Sequence, residues 1–331
     1  MNSQFKIIST FSGCGGSSLG YKLAGGEVVL AVEWDDNAAE TYRLNFPNTD
    51  LYHGDITDLS VDECLQRTGL KPSELDILDG SPPCQGFSTS GKRKFDDDRN
   101  QLFREYCRLL KGLQPKVFVM ENVSGLVKGK MKLIFAEILK ELKACGYKVK
   151  CRKMNMSYYG VAQARQRVIF IGTRNDLGLE PSHPAPQMRP IPSKEVIGNV
   201  VNSPEELAWA EGRIKSKQER YFARKVKPGQ NASKYHPKGH WFNFSKLHPN
   251  KPAPTILKMV RGAILHYNED RTLTISEIKR LSSFPDEFIF TGSFEEKWGR
   301  IGNTVPPEFM RAIAVHIFEH ILAEGLKKQD A

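Results

Sequence analysis

Cys84 stands in Gly80-Ser81-Pro82-Pro83-Cys84-Gln85-Gly86-Phe87-Ser88, just after the run Leu75-Asp76-Ile77-Leu78-Asp79. The run reads as a strand, and the two prolines stiffen the turn that follows it. A thiol presented on such a turn is better placed to attack a substrate than to fill a core, and its thiolate is a strong nucleophile. Cys14, Cys64, Cys107, Cys145 and Cys151 form no C-x-x-C pair, which disfavours a zinc ribbon or a thioredoxin-type site. They read as small buried hydrophobes. His236-Pro237-Lys238-Gly239-His240 has no cysteine nearby and reads as a loop, so no metal is expected.

A second constellation lies near the start. Phe11-Ser12-Gly13-Cys14-Gly15-Gly16 joins a strand to a helix, and glycines there let the backbone pass close to a ligand. The third glycine of a dinucleotide fingerprint is missing, because Ser18 takes its place. Cys14 belongs to this turn as backbone rather than as a reactive thiol. Glu33 ends the next strand, where a carboxylate can accept both hydroxyls of a ribose. Asp55, in Gly54-Asp55-Ile56, ends a third strand, where it can reach an adenine amino group. Together these residues describe a nucleoside cofactor laid across strand carboxyl ends. A third cluster, Glu121-Asn122-Val123, follows the apolar run 117–120.

Strands and helices alternate through the first half. Strands are expected over 5–11, 27–32, 75–78, 117–120 and 168–173, with helices near 17–24, 37–45, 101–113 and 131–145. This order predicts an α/β, Rossmann-like sheet covered on both faces. Prolines 181, 184, 186, 190 and 192 then break the pattern, and the stretch to about 300 is irregular and basic. Phe309, Ile313, Ile317 and Ile321 recur every four residues as one apolar stripe, so the C-terminal helix should return to the first domain. The expected division is a catalytic, cofactor-binding domain over 1–175 plus 300–331, and a smaller domain over 176–299.

The 331 residues carry a net charge of +10, with 40% hydrophobic and 26% charged residues, which suits a folded soluble protein. No apolar run is long enough for a bilayer, and the first residues do not resemble a signal peptide, so a cytoplasmic protein is expected. Between Ala210 and Arg261, thirteen lysines and arginines face two acids, Glu211 and Glu219. Six aromatic residues are interleaved among them. Such a stretch is an electrostatic footprint for nucleic acid.

Phe11–Gly16, Pro82-Pro83-Cys84-Gln85, Glu121-Asn122-Val123, Gln163-Ala164-Arg165-Gln166-Arg167, Arg280-Leu281 with Phe284-Pro285, and Gly302-Asn303-Thr304-Val305-Pro306 occur in that order. Their order resembles that of the bacterial-type DNA (cytosine-5)-methyltransferases over nearly the whole chain, most weakly between 176 and 260. The resemblance implies S-adenosyl-L-methionine as cofactor and duplex DNA as partner. Cys84 would add to carbon 6 of a cytosine flipped out of the helix, with Glu121, in protonated form, donating to N3. Arg165 would contact the cytosine O2, and Arg167 would brace the same strand or the active-site loop. Phe11, Ser12, Gly13, Cys14, Gly15, Gly16, Leu19, Glu33, Trp34, Asp55, Ile56, Ser81, Pro83, Leu102, Asn303 and Val305 would form the cofactor pocket, with Trp34 stacked on adenine.

Residues 85–100 would close over the extruded base, with Gln85, Ser88 and Ser90 touching DNA. The basic window would contact phosphates, and Lys258 and Arg261 would read guanine edges. A monomer is expected at the nucleoid, solitary or paired with a restriction endonuclease acting on the same site. Two other readings stay open. A tRNA cytosine-5 methyltransferase on the same scaffold would carry Cys-Phe-Thr, and that tripeptide is absent. A catalytically dead DNA-binding regulator would not need Cys84, Glu121, Arg165 and Asn303 all present.

Overall fold

The computed structural model describes residues 5–83, 101–235, 244–258 and 264–323. The chain groups into two compact units, one of Met1–Met154, Gln166–Ala185 and Met310–Ala331, the other of Asn155–Arg165 and Pro186–Phe309. Residues 155–165 and 300–309, which the sequence reading puts with the first segment, group with the second unit.

The first unit is built from β1 (Phe5–Thr10), α1 (Gly16–Leu23), β2 (Gly26–Glu33), α2 (Asp36–Asn45), β3 (Asp50–His53), α3 (Val61–Thr68), β4 (Ile77–Gly80), α4 (Gln101–Leu113), β5 (Val117–Val123), α5 (Lys132–Ala144), β6 (Tyr147–Asn155) and β7 (Gln166–Arg174). The strands form one seven-stranded sheet in the order β3-β2-β1-β4-β5-β7-β6. β1 to β5 are parallel. Their central members are buried on both faces, which is why β1 and β4 read as apolar runs rather than alternating ones.

β7 departs from this parallel order. It runs antiparallel to β5, with Val117 opposite Thr173 and Val123 opposite Arg167. The cause is the link from β6 to β7, residues 156–165, which holds one short 3-10 turn and no crossover helix. A parallel neighbour would need a longer crossover. Strand order reverses between β1 and β4, the kind of switch point at whose carboxyl ends α/β sheets bind ligands. The glycine turn follows β1 and the Pro82-Pro83 turn follows β4.

α11 (Pro307–Ile317) leads back into the first unit. All four residues of the predicted stripe, Phe309, Ile313, Ile317 and Ile321, are fully buried. Phe318, in the π turn after it, stacks on Phe5 of β1 at 5.5 Å.

The second unit contains α6 (Ser193–Ile197), α7 (Pro204–Gly212), α8 (Lys217–Lys225), β8 (Ser245–Lys246), β9 (Ile264–Leu265), α9 (Ile275–Leu281) and α10 (Phe294–Asn303). Capping boxes open three of these helices: Ser216 with Glu219, Thr274 with Glu277, and Ser293 with Glu296. One apolar cluster joins Ile214, Phe222, Ala223, Val226, Ala232, Phe244 and Leu265. Elsewhere in the unit the Arg213 guanidinium lies over the rings of Trp209 and Trp298, at 4.8 and 5.2 Å. Among the described residues no helix is long and apolar enough to cross a membrane.

Candidate active site

The turn after β1 is held in a conformation that needs glycine. Gly13 and Gly15 have φ of 57° and 93°. A Cβ on Gly15 would stand 2.3 Å from the Phe46 ring. One on Gly13 would meet nothing within 4 Å, so open space lies over the turn, where a ligand can approach the backbone. Ser12 fastens the turn, donating from Oγ to Ser9 O at 2.8 Å and accepting from Val32 N at 3.1 Å. Phe11 (φ 54°) and Leu19 are half-buried, while Cys14 and Ile56 are buried.

Glu33 ends β2 facing this turn. Its Oε2 accepts from Gly13 N at 2.7 Å, and Oε1 accepts from Trp34 N at 3.1 Å and Asp35 N at 2.9 Å. Burial pushes its carboxyl above the usual range, and the three backbone donors pull the other way. Each carboxylate oxygen has further lone-pair capacity beyond these bonds. The Trp34 ring is 74% exposed, available for stacking. Asp55 is exposed just beyond β3, where Gly54 N donates to Glu33 O at 3.1 Å, so the two acids stand at neighbouring strand ends. Open space over a glycine turn, ordered acids and an exposed indole fit a nucleoside cofactor.

The turn after β4 begins beside β5. Ser81 and Pro83 are half-buried, Pro82 is buried, and Asn122 Nδ2 donates to Pro82 O at 3.4 Å. Asn122 Oδ1 accepts from Val123 N at 2.8 Å, which sets the amide's orientation. One residue earlier, Glu121 Oε1 accepts from Arg167 Nε at 2.6 Å, an ion pair with both side chains under 15% exposed. The antiparallel register of β5 and β7 puts these two residues within reach of each other. Leu102 packs on the core of this unit. The structure therefore brings together Gly13 with Glu33, Pro82 with Asn122, and Glu121 with Arg167. Cys84, Gln85, Ser88, Ser90, Arg261, the two histidines 236 and 240 and the proposed closing loop lie outside the described residues.

Arg165 belongs to the second unit and is 3% exposed. Its Nη1 donates to Ile256 O and Gly302 O, both at 3.0 Å. It thus ties residues 253–258 to the end of α10. That strap is held at other points too. Ala253 exchanges backbone bonds with Ala162 and Ala164, Gln163 Oε1 accepts from Ile256 N at 3.0 Å, and Trp298 Nε1 donates to Leu257 O at 3.0 Å. Lys258 ends the strap exposed. Asn303 is exposed at the end of α10, and Val305 is buried.

Sequence reasoning left Asn122, Gln163 and Asp79 without roles. The first two sit inside recognised motifs. Asp79 could have been found as the acid nearest Cys84 in sequence, in an otherwise apolar strand.

A mostly parallel sheet with its switch point flanked by a glycine turn, ordered acids and a Pro-Pro turn is an α/β architecture of the kind that binds ligands at strand carboxyl ends. The chain belongs to the C-5 cytosine-specific DNA methylase family, whose model matches residues 5–319. It is 36% identical over 323 residues to the Type II methyltransferase M1.HphI of Haemophilus parahaemolyticus, covering 93% of this chain and 85% of that one. It is 33% identical to the Type II methyltransferase M.NgoFVII of Neisseria gonorrhoeae, covering 98% and 89%. Its structure resembles that of a protein described as a DNA modification methyltransferase encoded within an Escherichia coli prophage. The TM-score is 0.78 at 26% identity, covering 96% of this chain and 99% of that one.

Proposed function

We propose that this chain is a site-specific methyltransferase acting on carbon 5 of cytosine in duplex DNA, with S-adenosyl-L-methionine as methyl donor. The observation that carries this reading is the pairing of Glu121 with Arg167 beside the Pro82 turn, at the end of the strand next to β4. When bound, the cofactor supplies an electrophilic methyl on a sulfonium. Gly13, Gly15 and Gly16 would pass the backbone along it, Glu33 would take its ribose hydroxyls, Asp55 its adenine amine, and Trp34 its ring face. Leu19, Ile56, Ser81, Pro83, Leu102, Asn303 and Val305 would complete the pocket.

Carbon 5 of cytosine is a poor nucleophile. The Cys84 thiolate bonds to carbon 6, and the ring electrons move toward N3, where Glu121 donates a proton. Carbon 5 of the enamine so formed would be nucleophilic and would take the methyl from the cofactor held by Gly13, Glu33 and Asp55, which leaves a neutral thioether. A base, such as a water, would then remove the carbon-5 proton, the C6–S bond would break, N3 would return its proton to Glu121, and the thiolate would be released. Arg167 holds one oxygen of Glu121, which orients the other. Arg165 would hold the cytosine O2. Duplex DNA would meet the basic window, with Lys258 and Arg261 at base edges. A restriction endonuclease reading the same site would be its partner in the cell.

Transfer of labelled methyl to duplex DNA and to tRNA, side by side, tests the reading, and bisulfite sequencing of DNA from expressing cells returns the base and its context. Labelling of tRNA alone would favour the tRNA reading, and binding of cofactor and DNA without turnover would favour the regulator. Two variants probe the site. Glu121→Gln should lower kcat on the order of 10²-fold, the usual effect of losing one proton donor to developing charge, while cofactor affinity holds. Gly15→Ala forces an L-residue to positive φ at a cost of about 1–2 kcal/mol and pushes on Phe46. Titration calorimetry with S-adenosyl-L-methionine should show affinity down about tenfold or more.

A further inference from the structure

β4 carries an acid that the reaction above does not use. Asp79 is 3% exposed. Its Oδ2 accepts from Ser9 Oγ and its Oδ1 from Tyr21 OH, both at 3.2 Å. Its backbone carbonyl accepts from Thr10 Oγ1 at 2.9 Å. Ser9 is on β1, and its own carbonyl accepts from Ser12 of the glycine turn. Tyr21 is on α1, the helix that the turn opens. One carboxyl thus bonds both sides of the cofactor turn, and its strand leads directly into the Pro82-Pro83 turn. A buried carboxyl is costly unless hydrogen-bonded, and an apolar residue would fill the same space without that need.

We propose that Asp79 is a positioning residue that ties the cofactor turn after β1 to the turn after β4, and that its charge state governs turnover. Ionised, it accepts both hydroxyls and draws β1 and α1 onto β4. Protonated, it has a hydrogen of its own to place, and one of the two hydroxyls must turn away. The titratable groups facing it are Tyr21 from α1, Tyr42 from α2, Tyr106 from α4 and Glu121 from β5. Burial raises all three tyrosines, so they stay neutral. Burial also pushes Asp79 up to about 7; Tyr21 and Ser9 oppose this, and the Glu121 charge adds to it. A carboxyl held there changes charge within the neutral range.

The turnover arm of the test rests on the methyltransferase reading; the spectroscopic arm does not. Turnover is measured from pH 5.5 to 9 in the wild type, Asp79→Asn and Tyr21→Phe, and the carboxyl ¹³C resonances of aspartate are followed over the same range. Wild-type kcat should rise on a limb near neutrality. Asp79→Asn keeps the shape but cannot ionise, so the limb should disappear and kcat at pH 8.5 should fall about tenfold, as small displacements of reacting groups do. Tyr21→Phe removes a donor from the ionised form, so the limb and one aspartate resonance should both move to higher pH. A merely structural Asp79 would lower the melting temperature and leave the limb in place.

The proposal is overturned if both variants keep the wild-type profile, or if no aspartate titrates near neutrality. If the wild type methylates no DNA, the functional reading falls. The aspartate resonance and its shift in Tyr21→Phe then decide the link between turns.

Discussion

Cys84→Ala is expected to abolish methyl transfer, lowering kcat on the order of 10⁴-fold or more, as loss of a covalent nucleophile does. Cofactor affinity should stay within about twofold, because the residues that would bind its nucleoside, Gly13, Glu33 and Asp55, lie on other strand ends and the Cys84 side chain is not among those that would hold it. Duplex DNA in which 5-fluorocytosine replaces the target base should trap the wild-type chain, because the fluorine cannot leave as the carbon-5 proton does. The trapped species should resist denaturing electrophoresis, and the variant should form none. Full activity in Cys84→Ala would rule out attack by this thiol.

The second large effect concerns stability. Arg271 is 4% exposed and forks onto Glu277, with Nη1 and Nη2 at 2.9 and 2.7 Å from its two oxygens, and onto Glu269 at 2.7 Å. Burial opposes the guanidinium charge, but the two carboxylates outweigh it and hold Arg271 above its ordinary value. Glu277, 1% exposed, also accepts from Thr274 N and so caps α9. Arg271→Met would leave that carboxylate buried beside no guanidinium, at a cost of about 3–5 kcal/mol. Urea unfolding followed by tryptophan fluorescence, with Trp209 and Trp298 in the same unit, should show the loss. The double variant Arg271→Met with Glu277→Gln should recover part of it, since no ionised carboxylate is then stranded. A loss under about 1 kcal/mol in the single variant would mean that water already reaches the network.

Much of the first unit could be read from residues alone. β1, β2, β4 and β5 announce themselves because strands buried on both faces must be apolar throughout, and the stripe of α11 has no use except burial. The turns at Gly13 and Pro82 were legible because glycine and proline restrict the backbone locally. β6 was not. It reads Tyr147-Lys148-Val149-Lys150-Cys151-Arg152-Lys153, an edge strand whose exposed face is charged, so it lacks the apolar run. Its return as an antiparallel β7 depends on a linker length that carries no pattern. In the second unit the basic, proline-rich texture suggested irregularity, yet Ser216, Thr274 and Ser293 each stand three residues before a glutamate, a helix-start signal that composition masked. The bonds of Arg165 were out of reach for another reason. Its partners lie 91 and 137 residues further on, and no local pattern encodes such a meeting.

The strap over residues 253–258 bears on how such chains diversify. Its backbone is rooted by Ala162, Gln163, Ala164, Arg165 and Trp298, none of which belongs to the segment that follows Lys258. Substitutions beyond that root leave its anchorage intact. A change confined to the residues after Lys258 would therefore spare every bond that roots the strap.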